Sequence, residues 1–135
     1  MTIRDAFIAF ALKYNITLNE SNQDILSFYI SGEKGKYNSF AMCMEDDKMF
    51  AYFVDCNIRV EPKNRSIISE YLMKLNYNLK IGSFQMDYNT GDITVRACQY
   101  IFGSDEEQKN TIEQIILILG MIADTYCYDI IKELE

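Results

Sequence analysis

The C-terminal stretch "SDEEQKNTIEQIILILGMIADTYCYDIIKELE" constrains the fold more than any other part of the chain. Ser104 followed three residues later by Glu107 is a capping box, and the acidic residues beside it oppose the positive end of a helix dipole. The spacing predicts a helix from Ser104 almost to Glu135. Ile112, Ile115, Ile116, Leu119, Ile122, Ala123, Tyr126, Ile130 and Leu134 share one face. Leu117, Ile118, Met121, Cys127 and Tyr128 spread apolar surface around the side. A helix laid on one sheet needs a single stripe. The surplus must be covered either by strands and another helix of the same chain or by a second subunit. In the second case Leu117, Met121 and Tyr128 are the candidate interface residues.

Upstream, "TIRDAFIAFALKYNI" places Ile3, Phe7, Phe10, Ala11 and Tyr14 at helical spacing behind a Thr2/Asp5 capping box. "NESNQD" supplies turn chemistry. In "ILSFYIS", Leu26, Phe28 and Ile30 alternate with Ser27, Tyr29 and Ser31, as in a half-buried strand. "GEKGK" then makes a hairpin connection. On the returning strand the larger side chains Phe40, Met42 and Met44 are expected to face the core, leaving Ser39, Ala41 and Cys43 outside. "MFAYFVDCNIRV" has no clean alternation, which suggests a more buried, central strand without fixing its facing.

Pro62 opens a second helix, whose stripe is Ile67, Ile68, Tyr71, Leu72 and Leu75. Its end is expected between Asn76 and Asn78, where asparagine tolerates a left-handed closing residue. A hairpin follows, with Phe84, Met86 and Tyr88, then Ile93, Val95 and Ala97, on its apolar face. "YNTGD" suits a type I turn followed by Gly91 in the left-handed region. The expected fold is a single α+β domain over residues 1–135. It has a five-stranded antiparallel sheet with helices on one face, in the order α-β-β-β-α-β-β-α.

Charge and composition exclude more function than they suggest. With 20 acidic and 13 basic side chains the net charge is -7, which repels a phosphate backbone and disfavours nucleic acid and anionic membranes as partners. The longest apolar run, Ile115 to Ala123, is too short to span a bilayer, and no signal-peptide pattern opens the chain, so a cytoplasmic location is expected. There is no histidine, the commonest general base and transition-metal ligand. The four cysteines form no CxxC pair and read as reduced, mostly buried thiols. Six glycines make no phosphate loop. Gly120 reads instead as a close-packing point in the last helix. No cofactor, metal site or catalytic residue is expected.

Some polar residues have structural readings of their own. Glu45, Asp46 and Asp47 lack the spacing of a calcium loop and read as solvated turn charges that discourage edge association. Asp87 and Asp92 bracket a turn whose amides they can cap. Arg65 and Arg96 are each expected to bridge to a carboxylate of the chain itself. The outer sheet face is expected to carry Tyr29, Tyr37, Cys43, Gln85, Arg96 and Tyr100. Tyrosine and arginine are enriched in interface cores, so Tyr29, Tyr100 and Arg96 join the candidate contact residues.

The stretch "PKNRSIISEYLMKLNYNLKIGSFQMDYNTGDITVRACQYIF" with the helix after it resembles the YbjN family of small bacterial proteins, labelled sensory transduction regulators. Pro62, Asn64, Arg65, Leu75, Asn76, "GSFQMD" at Gly82 to Asp87, Gly91 and Arg96 carry the resemblance. It implies a fold similar to type III secretion chaperones, dimerisation, and binding of protein segments, with no catalytic residue and no ligand. A non-enzymatic, homodimeric, protein-binding adaptor or chaperone-like domain is the expected function. The alternative is a small-molecule sensor with an apolar pocket between the last helix and the sheet.

Overall fold

The computed structural model describes residues 1–20 and 24–135. In chain order the elements are α1 (Ile3–Lys13), β1 (Asn19–Glu20), β2 (Ile25–Ser31), β3 (Lys36–Met44), β4 (Met49–Arg59), a 3-10 turn (Pro62–Asn64), α2 (Arg65–Asn78), β5 (Ser83–Met86), β6 (Asp92–Tyr100) and α3 (Asp105–Glu133). All strands join one antiparallel sheet, ordered β1-β2-β3-β4-β6-β5. The sheet therefore has six strands, not five. The extra one is Asn19–Glu20, which pairs with Ser27 and Leu26. It begins the stretch read as a turn, whose middle, residues 21–23, lies outside the described residues.

Local sequence accounts for most element boundaries. Both capping boxes form: Thr2 Oγ1 accepts from the Asp5 N–H at 3.0 Å and Ser104 Oγ from that of Glu107 at 3.2 Å. The β5–β6 turn closes with Gly91 at φ 81°, its N–H donating to the Asp87 carbonyl. Helix α2 ends at Asn78 as its asparagines suggest, but not by a left-handed residue. Leu79 leaves in extended conformation at φ -82°, ψ 132°.

Asn76 has a different task. Its side chain donates to the Phe84 carbonyl at 2.9 Å and accepts from the Phe84 N–H at 2.7 Å. It pairs with the outer edge of β5 as another strand would.

One facing was misread. The hairpin turn pairs Ser31 with Lys36, hence Ile30 with Tyr37 and Phe28 with Ser39. Tyr37, Ser39 and Ala41 are therefore buried on the inner face, with Cys43 behind them, while Phe40, Met42 and Met44 lie half-buried outside. Ser39 and Ala41 suit their inner positions because large side chains already fill the space above them. Phe7 of α1 sits against Phe28 at 5.7 Å and Phe50 at 5.8 Å between centroids, and Phe28 stacks on Tyr52 at 5.8 Å. Turn register overrode side-chain size. Strand β4 is central, as expected, between β3 and β6. On α2, Ile68 and Leu72 are buried while Ile67 is exposed, because that helix covers only the narrow β5 end of the layer.

The three helices occupy the inner face. Helix α3 lies between them, reached by Ile30 of β2 at Gly120 and by Gly82, just before β5, at Leu119. Contacts with α1, β4 and β6 cover much of α3, while Leu117, Met121 and Tyr128 stay exposed. By length and composition α3 is a helix able to cross a membrane. Ile112, Leu119, Ala123 and Ile130 are nevertheless fully buried inside the domain.

The Tyr52 hydroxyl is buried and, among the described residues, is the side-chain polar group without a hydrogen-bond partner. Ser39 lies near it but donates its hydroxyl to the Phe28 carbonyl at 2.9 Å, and its oxygen is not within hydrogen-bonding geometry of the Tyr52 hydroxyl. An orphaned buried polar group costs about 1–3 kcal/mol. Tyr52→Phe is expected to raise stability by about 1 kcal/mol, read as a higher urea midpoint with an unchanged slope. A lower midpoint would mean that the hydroxyl has a partner in solution.

Candidate functional site

The two ends of the sheet are treated differently. At the β5 end the outward N–H and C=O of Phe84 are occupied by Asn76. At the other end β1 covers only Leu26 and Ser27. The Gly32 N–H donates to the Gly35 carbonyl, so even-numbered residues of β2 point their backbone groups at β3. Alternation then sends those of Ser27, Tyr29 and Ser31 to the outer edge. No strand of the described residues pairs with Tyr29 or Ser31.

That open edge borders a groove of about 840 Å³ between β2, the end of α1 and the outer side of α3. Phe10, Ile16, Ile30, Ile116, Leu117 and Met121 give it an apolar lining. Three of the candidate contact residues meet here: Tyr29 is 57% exposed, Leu117 50% and Met121 62%.

Gly120 also borders this groove. Glycine inside a helix costs about 1 kcal/mol against alanine. A Cβ at Gly120 would approach only the Ile30 Cδ1, at 3.2 Å, and no backbone.

The turn between β2 and β3 closes one end of the groove. Asp124 of α3 accepts from the Glu33 and Lys34 amides, each at 2.9 Å, and from the Tyr37 hydroxyl at 3.1 Å. The turn is thereby pinned across α3. It separates Leu117 and Met121 from Tyr128, which lies under Lys34 at 5.7 Å and Lys132 at 4.7 Å from its ring centroid. The three helix residues thus do not form one continuous seam. Burial, helped by Asp124, pushes the Tyr37 hydroxyl up to about 12.

The Lys34 amide foremost, with the Glu33 amide and the Tyr37 hydroxyl, holds the Asp124 carboxyl below its ordinary value of 3.8. A carboxyl lowered by folding stabilises fully above that ordinary value and stops doing so as pH falls through the folded one. The Lys34 amide resonance is therefore expected to hold its position down to the ordinary carboxyl value of 3.8 and to shift as pH falls below it. Asp124→Asn should abolish that step. If it persists in the variant, another group holds the turn.

Tyr100 and Arg96 lie elsewhere, on the outer sheet face. Tyr100 stacks on Phe102 at 5.8 Å, and the Arg96 guanidinium sits 5.4 Å from the Phe53 centroid. Tyr37 and Cys43, expected on that face, point inward. Phe40, Met42, Met44, Met49 and Phe53 take their place, for the register reason given above.

Neither arginine makes the bridge expected of it. Arg65 donates to the carbonyls of Val60 at 3.0 Å and Tyr88 at 2.9 Å, tying α2 to the β5–β6 turn. Arg96 has no ion pair among the described residues. Glu45 also departs from expectation: it accepts from the Ile3 and Arg4 amides, each at 2.9 Å, and so anchors the positive end of the α1 dipole. Asp92 pairs with Arg59 at 3.0 Å, and Asp87 caps the Asn89 amide at 2.9 Å.

Two cysteines are less buried than expected: Cys43 is half-buried and Cys98 exposed, whereas Cys56 and Cys127 are buried. A hydrogen bond with Cys127, together with burial, pushes the Cys56 thiol far up, and burial takes Cys43 to about 12. Neither is an activated nucleophile. Among the described residues no cluster of acidic or sulfur side chains is arranged to hold a metal ion.

Sequence reading found Leu117, Met121 and Tyr29, and noticed Gly120 without its neighbours. It missed Ile30, Glu33 and Asp124 as parts of the groove. Asp124 had one available signal, being the first charged residue after Glu113 on a long apolar helix. Compared with protein-family models, curated proteins and solved structures, the chain matches none.

Proposed function

We propose that this domain binds another protein by taking an extended segment along the open edge of β2, acting as a non-enzymatic adaptor or chaperone. One observation carries the reading: among the described residues the outward backbone groups of Tyr29 and Ser31 have no partner, and they lie on the rim of an apolar groove. An added strand would satisfy those groups, and its alternate side chains would enter the groove. A small molecule could fill the same space but would leave the edge unpaired. The chaperone-like part of the reading rests on the YbjN resemblance, and the cytoplasmic location on composition.

The test is selection from a random heptapeptide display library, followed by amide hydrogen exchange. Bound peptides are expected to slow exchange at Tyr29 and Ser31 and to be lost from Met121→Glu and Leu117→Glu. A library that yields no binder dependent on Met121 and Leu117 would overturn the reading. Slowing at Tyr29 and Ser31 that grows with protein concentration alone, matched by a doubled mass in light scattering, would assign the edge to a homodimer instead. Metabolites that raise the thermal midpoint without touching those amides would favour the sensor.

A further inference from the structure

The shape and charge of the groove specify the segment more closely, and this step rests on the edge-binding reading above. We propose that Gly120 forms a notch for one bulky apolar side chain of the bound segment, and that Glu33 and Asp124 select a basic residue two positions nearer the β2–β3 turn.

Backbone pairing fixes the geometry. A segment paired to Tyr29 and Ser31 places the residue opposite Ile30 on the Ile30 face, toward α3. Ile30 already reaches over Gly120, whose missing Cβ would lie 3.2 Å from its Cδ1. The incoming side chain therefore descends beside Ile30, between Leu117 and Met121, into the space that glycine leaves. No backbone crowding and no left-handed conformation requires glycine at this position, and the one close neighbour is the flexible end of Ile30. A Cβ here would press on the Ile30 Cδ1 and stand in the groove floor that Gly120 borders.

Two residues toward the turn, the next inward side chain lies opposite Gly32, roughly 7 Å further on. Glu33 and Asp124 stand at that end, and they are the charged residues lining the groove. Lys34 lies over Tyr128, outside the groove, and Lys36, though over the ring of Tyr29 at the rim, does not line it. The chain's net charge of -7 adds to the attraction for a cation. A segment antiparallel to β2 would read basic-x-apolar, and a parallel one apolar-x-basic.

The probes are two fluorescein-labelled heptapeptides on a serine/threonine background, Ser-Thr-Phe-Thr-Lys-Thr-Ser and its reverse, titrated by anisotropy. One direction is expected to bind. Changing its phenylalanine to alanine should weaken binding about tenfold or more. Changing its lysine to glutamate should weaken it about fivefold, less at high salt. Gly120→Leu should abolish the phenylalanine preference, and Glu33→Lys should reverse the charge preference. Because leucine could disturb the helix, Gly120→Ala serves as the second variant, expected to weaken the phenylalanine peptide while keeping the wild-type thermal midpoint or better. Peptides that bind while ignoring both their own phenylalanine and the Gly120 variants would overturn the notch and leave the edge reading standing. If selected library peptides compete for the edge but none carries an apolar and a basic residue at this spacing, the motif is likewise overturned. Failure of every peptide, library-selected ones included, would remove the edge reading and this inference together.

Discussion

Gly91→Ala is expected to cost about 3–4 kcal/mol of stability and to lower the thermal midpoint by roughly 10 °C. Two independent costs meet at this residue. Its φ is +81°, which penalises any side chain by about 1–2 kcal/mol. The added Cβ would also fall 2.1 Å from the Val60 carbonyl oxygen and 2.9 Å from the Val60 nitrogen, atoms of backbone that cannot swing aside. The Val60 N–H donates to the Gly91 carbonyl at 2.9 Å, so separating the two chains breaks that bond as well. Arg65 holds the Val60 carbonyl from the other side, which spreads the damage to the start of α2. Gly91→Asn tells the two costs apart. Asparagine tolerates a positive φ, so a recovery of most of the loss would show that conformation alone mattered. The contact with Val60 predicts little recovery. Differential scanning calorimetry of wild type and both variants measures this directly.

Asn76→Ala is expected to destabilise the domain by about 2–3 kcal/mol. It leaves the Phe84 N–H and C=O without partners beside a buried phenylalanine and frees α2 from the edge of β5. Hydrogen exchange should accelerate first at Phe84. The exposed β5 edge should also make the variant associate at concentrations where the wild type does not, since an unpaired strand edge is a template for another chain. Asn76→Asp separates the two bonds: its carboxylate still accepts from the Phe84 N–H but faces the Phe84 carbonyl with a second oxygen. It is expected to be at least as unstable as the alanine variant. Wild-type stability in Asn76→Ala would show that the side chain merely occupies the edge.

These two residues divide what could be read from what could not. Gly91 was legible because its requirement is local: a turn of that type needs a left-handed residue wherever it occurs. The same holds for the capping boxes at Thr2 and Ser104 and for the alternation of Phe84, Met86, Ile93 and Val95. Asn76 was singled out for a reason that proved wrong. Its two bonds reach eight residues along the chain to a strand whose position α2 itself does not encode. Glu45 was likewise taken for a solvated charge because its partners, the Ile3 and Arg4 amides, are about forty residues away in the chain. The facing of β3 failed for a related reason. Side-chain size favours Phe40 and Met42 for the core, but the space they would need is already filled by Phe7, Phe28 and Tyr52 from three other elements.

The groove follows the same division. Leu117, Met121 and Tyr29 stood out in the sequence as apolar or aromatic surface without cover. That the first two line one groove with Tyr29, while Tyr128 does not, depends on where the Gly32–Gly35 turn crosses α3, and Asp124 sets that crossing through three hydrogen bonds. The sequence by itself determined the three helices, the five longer strands, both capping boxes, the glycine turn and an excess of apolar surface on the last helix, because each is fixed by interactions within a few residues. The two-residue β1, by contrast, exists only through its pairing with β2. Only the tertiary structure decided that Asn76 occupies the β5 edge at Phe84 and that a groove lies beside the β2 edge. Those outcomes depend on contacts between elements far apart in the chain, whose free energy exists only once the sheet and helices have packed together.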